Sequence, residues 1–349
     1  MLTVWKSDLH MSALPIDQYL DPLKTILTTH NRLMLIAQPG AGKTTRVPLC
    51  LLEEEWVKGQ KLLLLEPRRV AARLAASFMA RQLGEDVGQT VGYRMRGDSC
   101  VSAQTRLEVV TQGVLTRMLQ DDPLLEGVAG IIFDEFHERS LEADVGLALT
   151  LDVQTSIRDD LRLLVMSATL DVEALKRVLG EQVPVIECHG RQYPVATAYR
   201  PSLSGEESIS HALRVVEEAL SLPGTQGILV ILPGVAEINR LVQALEKKLP
   251  HLAIRPLHGR MSIAEQQAAL AANTSKQRII VSTAITESSI TVDGVNVVID
   301  GGLERVPLFQ PRTGLTRLTT RRINRASADQ RRGRAGRQRE GRCFRLWAQ

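Results

Sequence analysis

The chain has 349 residues, a length typical of about two domains, and 44% of its residues are hydrophobic while 23% are charged. This balance is that of a globular protein and excludes a wholly disordered or collagen-like chain. The net charge is +4, yet residues 301–349 hold 13 arginines against three acidic residues. An arginine-rich end on a mildly acidic body favours a polyanionic ligand or partner.

Cysteine usage and hydropathy predict a cytoplasmic protein. The four cysteines, Cys50, Cys100, Cys188 and Cys343, are far apart and form no CxxC pair, which argues against a disulfide framework or a zinc site. No apolar run approaches the roughly 20 residues that span a bilayer, and the N-terminal segment lacks the apolar core of a secretion signal. We therefore expect a reducing compartment and no membrane partner.

Short apolar runs alternate with longer helical patterns along the chain. The predicted strands, in chain order, cover residues 33–37, 61–65, 130–133, 161–166, 228–232, 278–282, 295–299 and 341–347. The clearest helical patterns cover residues 70–83, 207–220 and 235–248. Several strand runs are apolar throughout rather than alternating, as in parallel strands that are covered on both faces. The repeated order of strand, helix and strand predicts an α/β fold with mostly parallel sheets.

The strand at 33–37 leads into a glycine-rich loop that fits the P-loop pattern, with Ala in place of the first glycine. Two glycines in this loop let backbone N–H groups turn towards phosphate oxygens, and the following helix adds a favourable dipole. Lys43 is expected to reach the β- and γ-phosphates, and the Thr44 hydroxyl to bind Mg²⁺. The alternative, a chance glycine-rich turn, is disfavoured by the strand and helix context. The predicted nucleotide-binding residues are Pro39, Gly40, Ala41, Gly42, Lys43, Thr44 and Thr45.

The strand at 130–133 runs into two carboxylates, which is the Walker B arrangement. Asp134 is expected to hold Mg²⁺, and Glu135, also assigned to the metal site, to polarise the attacking water. Loops at the carboxyl ends of parallel strands face one crevice, so both carboxylates are expected to meet the P-loop. An acidic surface loop is the competing interpretation, which a P-loop upstream weakens. His137 is interpreted as a coupling residue rather than a metal ligand.

The segment from Gln330 to Arg337 reads QRRGRAGR. Residues three apart are neighbours on a helix, so Arg334 and Arg337 are expected to point the same way. Two guanidinium groups beside a γ-phosphate stabilise charge during phosphoryl transfer. A basic surface patch would be the better interpretation of an isolated stretch, but the nucleotide site upstream favours the catalytic one. This interpretation requires a second domain that delivers the arginines to the nucleotide.

Together these segments resemble the superfamily 2 helicases of the DEAH/RHA type, and within them the bacterial HrpB type. The ordered matches cover residues 40–45, 66–73, 110–117, 134–140, 167–169, 229–234, 282–289 and 330–337. The resemblance implies two RecA-like domains that bind ATP or another NTP with Mg²⁺, and nucleic acid that crosses both domains. The catalytic residues that it implies are Glu135, Gln330, Arg334 and Arg337. The implied coupling residues are His137, Ser167 and Thr169. The implied nucleic-acid contacts are Arg68, Thr111 and Thr283. Arg94, Arg96 and Arg312 are further candidate contacts because of their positive charge.

The same resemblance divides the chain. We predict an N-terminal extension over 1–12, a RecA-like ATP-binding domain over 13–192 and a RecA-like helicase C-terminal domain over 193–349. The boundary falls where the strand and helix pattern slackens, between residues 187 and 204. We expect a monomer that couples NTP hydrolysis to translocation along single-stranded RNA with a duplex end. DEAH-type helicases continue beyond the second domain, so we expect ATP hydrolysis with poor unwinding by this chain alone.

Two other function classes stay open. A P-loop NTPase or kinase that acts on a small molecule would leave residues 66–73, 282–289 and 330–337 unexplained, and polynucleotide would not stimulate it. A nucleotide-dependent RNA-binding clamp would bind both ligands without turnover. Ala284, where the family usually has Asn, favours the clamp mildly, whereas the intact Glu135 and Arg334 disfavour it.

Overall fold

The computed structural model describes residues 14–168, 171–189, 193–271, 277–284, 292, 294–337 and 339–349. The chain divides into two compact units, residues 1–190 and 191–349. Each unit has its own sheet and its own hydrophobic core. The predicted α/β architecture is therefore confirmed. The predicted strands and helices named above agree with the observed ones to within two residues at each end.

Unit 1 is built on an eight-stranded sheet. Its strands are β1 (Arg32–Ala37), β2 (Lys61–Glu66), β3 (Val91–Met95), β4 (Asp98–Cys100), β5 (Leu107–Thr111), β6 (Val128–Phe133), β7 (Arg162–Ser167) and β8 (Val185–Cys188). Its helices are α1 (Leu20–Thr29), α2 (Lys43–Leu51), α3 (Arg69–Gln82), α4 (Gln112–Asp121), α5 (Leu141–Ser156) and α6 (Val172–Leu179). The strands lie in the order β4-β3-β5-β2-β6-β7-β1-β8, in which β3 and β4 pair antiparallel and the other neighbours pair parallel.

The strand β2 shows why these runs are apolar throughout. Leu62 and Leu64 pack into the core on one face of the sheet, whereas Leu63 and Leu65 pack into the core on the other. Successive side chains of a strand point to opposite faces, so a strand with helices on both sides has no exposed position for a polar residue. Each such leucine contributes about 1.5–3 kcal/mol by its burial.

Unit 2 is built on a six-stranded parallel sheet and a separate hairpin. Its strands are β9 (Val195–Tyr199), β10 (Gly227–Ile231), β11 (Ala253–Leu257), β12 (Arg278–Ser282), β13 (Val297–Asp300), β14 (Leu303–Gln310), β15 (Leu315–Arg322) and β16 (Gly341–Arg345). Its helices are α7 (Ser208–Ser221), α8 (Val235–Lys248), α9 (Ile263–Leu270) and α10 (Arg325–Gly333). The sheet order is β11-β12-β10-β13-β16-β9, and β14 pairs antiparallel with β15 to form the hairpin.

The parallel arrangement of unit 1 sets the position of its candidate site. The strands β1, β2, β5, β6 and β7 run parallel, so the loops that follow them emerge along one edge of the sheet. The P-loop, the acidic pair, Arg68 and His137 lie in these loops, and Thr111 and Ser167 end β5 and β7. Within the described ranges, no helix has both the length and the apolar character needed to cross a lipid bilayer.

Candidate active site

The loop between β1 and α2 has a backbone that glycine alone adopts easily at two positions. Gly40 and Gly42 have φ angles of 88° and 95°, in the left-handed region. A Cβ atom on Gly42 would also lie 2.7 Å from Leu14 Cδ1 and 3.1 Å from Ile16 Cγ2. The helix α2 begins directly after this loop. Its N-terminal N–H groups and the positive end of its dipole therefore favour an anion at the loop.

Lys43, the first residue of α2, lies against the two carboxylates that follow β6. Its Nζ is 2.7 Å from Glu135 Oε1 and 3.6 Å from Asp134 Oδ1. The Thr44 hydroxyl donates a hydrogen bond to Asp134 Oδ2. The side chains of Lys43, Asp134 and Glu135 are all buried. The fold thus brings the P-loop and the acidic pair, which are about 90 residues apart in the sequence, into direct contact.

Burial governs the electrostatics of this cluster. The pKa of Asp134 is raised to about 6, because burial disfavours its charged form and Glu135 repels it, while Lys43 offsets this only in part. Burial also works against the charge of Lys43, but Asp134 and Glu135 outweigh it and the pKa of Lys43 is raised. Lys43 is therefore protonated throughout, and the carboxylates of Asp134 and Glu135 favour the binding of a further cation beside it.

Glu135 has an unusual backbone for its residue type. Its φ angle is 49° and its ψ angle 38°, and its N–H donates a hydrogen bond to Asp134 Oδ1 at 2.7 Å. A residue with a side chain in the left-handed region costs of order 1–3 kcal/mol and is retained where the surroundings hold it, often at functional sites. Among the described residues other than glycine, only Leu125 and Arg139 share a positive φ.

Oxygen atoms suited to Mg²⁺ gather at the same place. They come from the Thr44 hydroxyl and from the carboxylates of Asp134 and Glu135. Mg²⁺ prefers oxygen ligands and is usually held by one or two carboxylates together with substrate phosphates and waters. In the parts of the chain with described structure, no cluster of three or more His, Cys, Asp or Glu side chains forms a metal site made of protein alone. The residues present fit a metal that is bound together with a phosphate ligand.

His137 contacts the end of β7. Its Nδ1 is 3.0 Å from Ser167 Oγ, and the Ala168 N–H donates to the same nitrogen at 3.4 Å. The same Nδ1 lies 3.5 Å from Glu135 Oε2. His137 therefore contacts Glu135, Ser167 at the end of β7 and Ala168 directly after it, while its coupling role stays a prediction. Thr169, the third predicted coupling residue, lies outside the described residues.

Two predicted nucleic-acid residues of unit 1 stand next to the acidic segment. Arg68 directly precedes α3, and its Nε donates to Glu138 Oε2 at 3.3 Å. Thr111 ends β5 and directly precedes α4, and it is half-buried. Arg68 follows β2 and Thr111 ends β5, so both lie at the edge of the sheet that carries the P-loop.

Arg94 and Arg96 differ in their surroundings. Arg94, on β3, donates through Nε to Glu108 Oε1, and Lys61 Nζ lies 3.2 Å from Glu108 Oε2. Glu108 is buried, so Arg94 already has a counter-charge inside the protein. Arg96 lies in the turn after β3, and both arginines are exposed. Of the two, Arg96 is the more available to a phosphate in solution.

The arginine segment of unit 2 begins on a regular helix and ends on a tighter turn. The helix α10 ends at Gly333, and residues 334–336 form a single 3₁₀ turn followed by Arg337. Arg334 and Arg337 therefore lie beyond the α-helix that was predicted to align them, and their common direction stays a prediction. Arg334 is buried, whereas Gln330 and Arg337 are half-buried.

The two remaining predicted residues of unit 2 lie in loops. Thr283 follows β12, and its N–H donates to Leu257 O at 3.3 Å. Arg312 is exposed in the turn between β14 and β15. Residues 285–289, which complete the predicted segment around Thr283, lie outside the described residues.

Family models match both units. The model of the DEAD/DEAH box helicase matches residues 21–178, and the model of the helicase conserved C-terminal domain matches residues 211–339. The chain belongs to the DEAD/DEAH box helicases. The first match contains the P-loop and the acidic pair of this helicase chain, and the second contains its arginine segment.

Bacterial RNA helicases are among the relatives of this helicase chain. The ATP-dependent RNA helicase HrpB of Escherichia coli is 47% identical over 329 residues, which cover 94% of this chain and 40% of that protein. The ATP-dependent RNA helicase HrpA of Borreliella burgdorferi is 36% identical, over 96% of this chain and 41% of that protein. The crystal structure of Escherichia coli DEAH/RHA helicase HrpB matches with a TM-score of 0.90 and 45% identity, over 96% of this chain and 43% of that chain.

The helicase chain therefore spans about two fifths of the length of these relatives. The match confirms the predicted fold of two tandem RecA-like helicase domains and the predicted resemblance to HrpB.

Sequence reasoning missed one buried residue of the helicase arginine segment. Arg331 is fully buried, and its Nη1 lies 2.9 Å from Oδ1 of Asp300, which is also fully buried. Charge patterning assigns an arginine-rich run to the surface and does not show which member turns inward. The available signal was Asp300 itself, because it ends an apolar strand in the same way as the aspartate after β6.

Proposed function

We propose that this chain is the NTP-hydrolysing core of a helicase that moves along single-stranded nucleic acid. The supporting observation is the buried contact of Lys43 with Glu135 and Asp134, together with the hydrogen bond from Thr44 to Asp134. Such a cluster beside a helix N-terminus is suited to bind a triphosphate and to activate a water molecule against it.

Each residue of the cluster has a proposed role. Lys43 binds the β- and γ-phosphates, while residues 39–45 cradle the phosphate chain with backbone N–H groups. Glu135 polarises the water that attacks the γ-phosphate. Thr44 and Asp134, with Glu135 nearby, would hold Mg²⁺, which when bound neutralises charge on the phosphates.

The second unit is proposed to complete the reaction. Gln330, Arg334 and Arg337 belong to a segment that the family uses at the nucleotide, and a guanidinium group stabilises charge on a transferring phosphoryl group. We propose that Arg334 and Arg337 act on the γ-phosphate and that Gln330 orients the attacking water. The domain limits 13–192 and 193–349 and the N-terminal extension 1–12 stay predictions.

RNA is the proposed nucleic acid, since the similar proteins HrpB and HrpA are named RNA helicases. The proposed contacts are those predicted from the sequence, namely Arg68, Arg94, Arg96, Thr111, Thr283 and Arg312. The charged members bind phosphates, so RNA affinity is expected to fall with salt by a slope of about −0.7 per phosphate contact. A monomer and a cytoplasmic location stay predictions, as does the duplex end of the substrate.

The decisive experiment is steady-state ATP hydrolysis with Mg²⁺, with and without a single-stranded RNA oligonucleotide, and with DNA of the same sequence. Lys43→Ala and Arg334→Ala are the test variants, and Lys58→Ala, an exposed lysine, is the matched control. We expect RNA to stimulate hydrolysis by the wild type and by Lys58→Ala. We expect no RNA-stimulated hydrolysis by Lys43→Ala or Arg334→Ala.

The alternatives give different results. Binding of RNA and nucleotide without turnover would support the nucleotide-dependent clamp instead. Hydrolysis that neither RNA nor DNA changes, together with no binding of either, would contradict the helicase proposal and favour a small-molecule NTPase. A strand-displacement assay on a duplex with a single-stranded tail separates translocation with unwinding from hydrolysis alone.

A further inference from the structure

The short segment that follows Asp134 and Glu135 contacts two of the predicted nucleic-acid segments of unit 1, those that contain Arg68 and Thr111. Glu138 Oε2 accepts a hydrogen bond from Arg68 Nε at 3.3 Å. Ser140 Oγ donates a hydrogen bond to Gln112 Oε1 at 2.6 Å, and Gln112 is the neighbour of Thr111. The segment thus connects Glu135, at its start, to the residues proposed to bind RNA.

The backbone of this segment is held in an unusual form at both ends. Residues Phe136–Glu138 form one 3₁₀ turn between Glu135, with φ of 49°, and Arg139, with φ of 41°. Ser140 then caps α5 by accepting the Ala143 N–H at 3.0 Å. Two residues other than glycine with positive φ, four positions apart, make a conformation that the surrounding contacts must maintain. Such a segment is sensitive to the loss of any one of those contacts.

Only one oxygen of the Glu138 carboxylate has a hydrogen-bond partner among the described residues. The side chain of Glu138 is 18% exposed and that of Arg68 is 32% exposed. Oε1 of Glu138 is buried and has no hydrogen-bond partner among the described residues. A part-buried carboxylate depends on the neighbouring cation for its stability, so the loss of Arg68 as a partner would cost more than at an open surface.

We propose that Glu138 is a positioning residue that holds the Arg68 guanidinium, and that an RNA phosphate displaces it. The proposal rests on the proposed function, because Arg68 must bind RNA. A phosphate and a carboxylate compete for the same N–H donors of an arginine. A Glu138 that has lost Arg68 shifts the conformational equilibrium of the segment, which begins at the water-activating Glu135. RNA binding is thereby coupled to the nucleotide site within unit 1.

Coupling of this kind is reciprocal. If RNA alters the segment at Glu135, then a nucleotide bound at Glu135 alters the affinity of Arg68 for RNA by the same factor. The measurable quantity is therefore the ratio of the RNA Kd without nucleotide to the Kd with a non-hydrolysable ATP analogue and Mg²⁺.

The test uses Glu138→Gln, which removes the charge and keeps the size of the side chain. Glu142→Gln is the matched control, because Glu142 is exposed on α5 and its removal changes the net charge equally. The probe is a fluorescein-labelled single-stranded RNA, and Kd is measured by fluorescence anisotropy. Glu138→Gln is expected to tighten RNA binding without nucleotide by about two- to fivefold, the range of an ion pair that is partly exposed. In Glu138→Gln, the ratio of the RNA Kd without nucleotide to the Kd with the ATP analogue is expected to move towards one. In Glu142→Gln, this ratio is expected to match the wild type.

A double-mutant cycle with Arg68→Gln separates the proposed contact from general charge effects and from unfolding. Glu138→Gln should have no effect on the RNA Kd when Arg68 is already Gln. An equal gain in both backgrounds, or an unchanged Kd ratio in Glu138→Gln, would overturn the proposal while leaving the helicase function intact. A wild type that binds no RNA would overturn both.

A second variant covers the case in which Glu138→Gln fails to fold. Glu138→Asp keeps the charge and shortens the reach of the side chain, so it must still weaken the nucleotide dependence of the RNA Kd. An unchanged dependence overturns the proposal.

Discussion

Arg331 and Asp300 form an ion pair in which both side chains are fully buried, with Nη1 and Oδ1 2.9 Å apart. The same Nη1 is 3.3 Å from Leu303 O, and the Gly302 N–H donates to Asp300 Oδ1 at 2.9 Å. Arg331 lies on α10, Asp300 ends β13, and Leu303 begins the hairpin. One guanidinium group therefore joins the arginine segment to the base of the β14–β15 hairpin.

Breaking this pair should destabilise unit 2. Arg331→Met leaves Asp300 as a buried charge without its guanidinium, and the expected loss of unfolding free energy is about 3–5 kcal/mol. Arg331→Met with Asp300→Asn removes the buried charge and keeps an acceptor for the Gly302 N–H, so the double variant should recover part of that loss. Urea unfolding, followed by circular dichroism, is measured for Arg331→Met, Asp300→Asn and the double variant. Strictly additive effects of the two substitutions would contradict a direct interaction.

The P-loop lysine should be indispensable for hydrolysis. Removal of one electrostatic stabiliser of a transition state costs about 10²–10³ in kcat. Lys43→Ala should therefore lower ATP hydrolysis by at least that factor, whereas Lys58→Ala should not. Phosphate release in single-turnover assays measures the chemical step directly. Comparable hydrolysis by Lys43→Ala and the control would show that the reaction takes place elsewhere.

Arg334 should contribute mainly to turnover. An arginine that stabilises a transferring phosphoryl group is worth about 10³–10⁵ in kcat. We expect Arg334→Ala to lower kcat by about 10³ with a smaller change in KM, while Arg339→Ala, at an exposed position, matches the wild type. Because Arg334 is buried, the urea midpoint of the Arg334→Ala protein must be measured in parallel. A loss of activity that follows the loss of folded protein would assign Arg334 a structural role only.

His258 gives unit 2 a pH-dependent stability. Burial lowers the pKa of His258 from its ordinary value of 6.5, Arg260 lowers it further, and Glu265 offsets this in part. The unfolded chain therefore binds the proton more readily, so stability is full above the unfolded pKa and is lost as the pH falls from there through the lower folded pKa.

The urea midpoint of the wild type is accordingly expected to drop between about pH 7.5 and about pH 5.5, and the drop should be smaller in His258→Gln. His251→Gln, at an exposed position, should keep the wild-type drop. Equal drops in all three proteins would show that other groups govern the pH dependence.

The sequence predicted the sheets well because their chemistry is uniform. Residues such as Leu63 and Leu64 face opposite cores, so a whole strand is apolar and stands out from its surroundings. The P-loop and the acidic pair were predictable for a similar reason, since each combines a strand with a distinctive short motif.

The hairpin and the buried arginine were not predictable in the same way. Leu308, Phe309, Leu315 and Leu318 are exposed on β14 and β15, so hydrophobic patterning has no core face to detect there. Arg331 lies between basic neighbours, and only the tertiary contact with Asp300 distinguishes it from them. The contacts of Glu138 and Gln112 also depend on distant chain segments, which a linear motif does not contain.

The 2.7 Å contact between Lys43 and Glu135 has a consequence for the order of events. If Lys43 binds the triphosphate as proposed, it would exchange the Glu135 carboxylate for a phosphate when the nucleotide arrives. The same exchange would release Glu135 from this cation and make it a stronger base. Binding of the nucleotide would thus activate Glu135 as the base for its hydrolysis, and in a site without nucleotide Glu135 would stay paired with Lys43 as a weaker base.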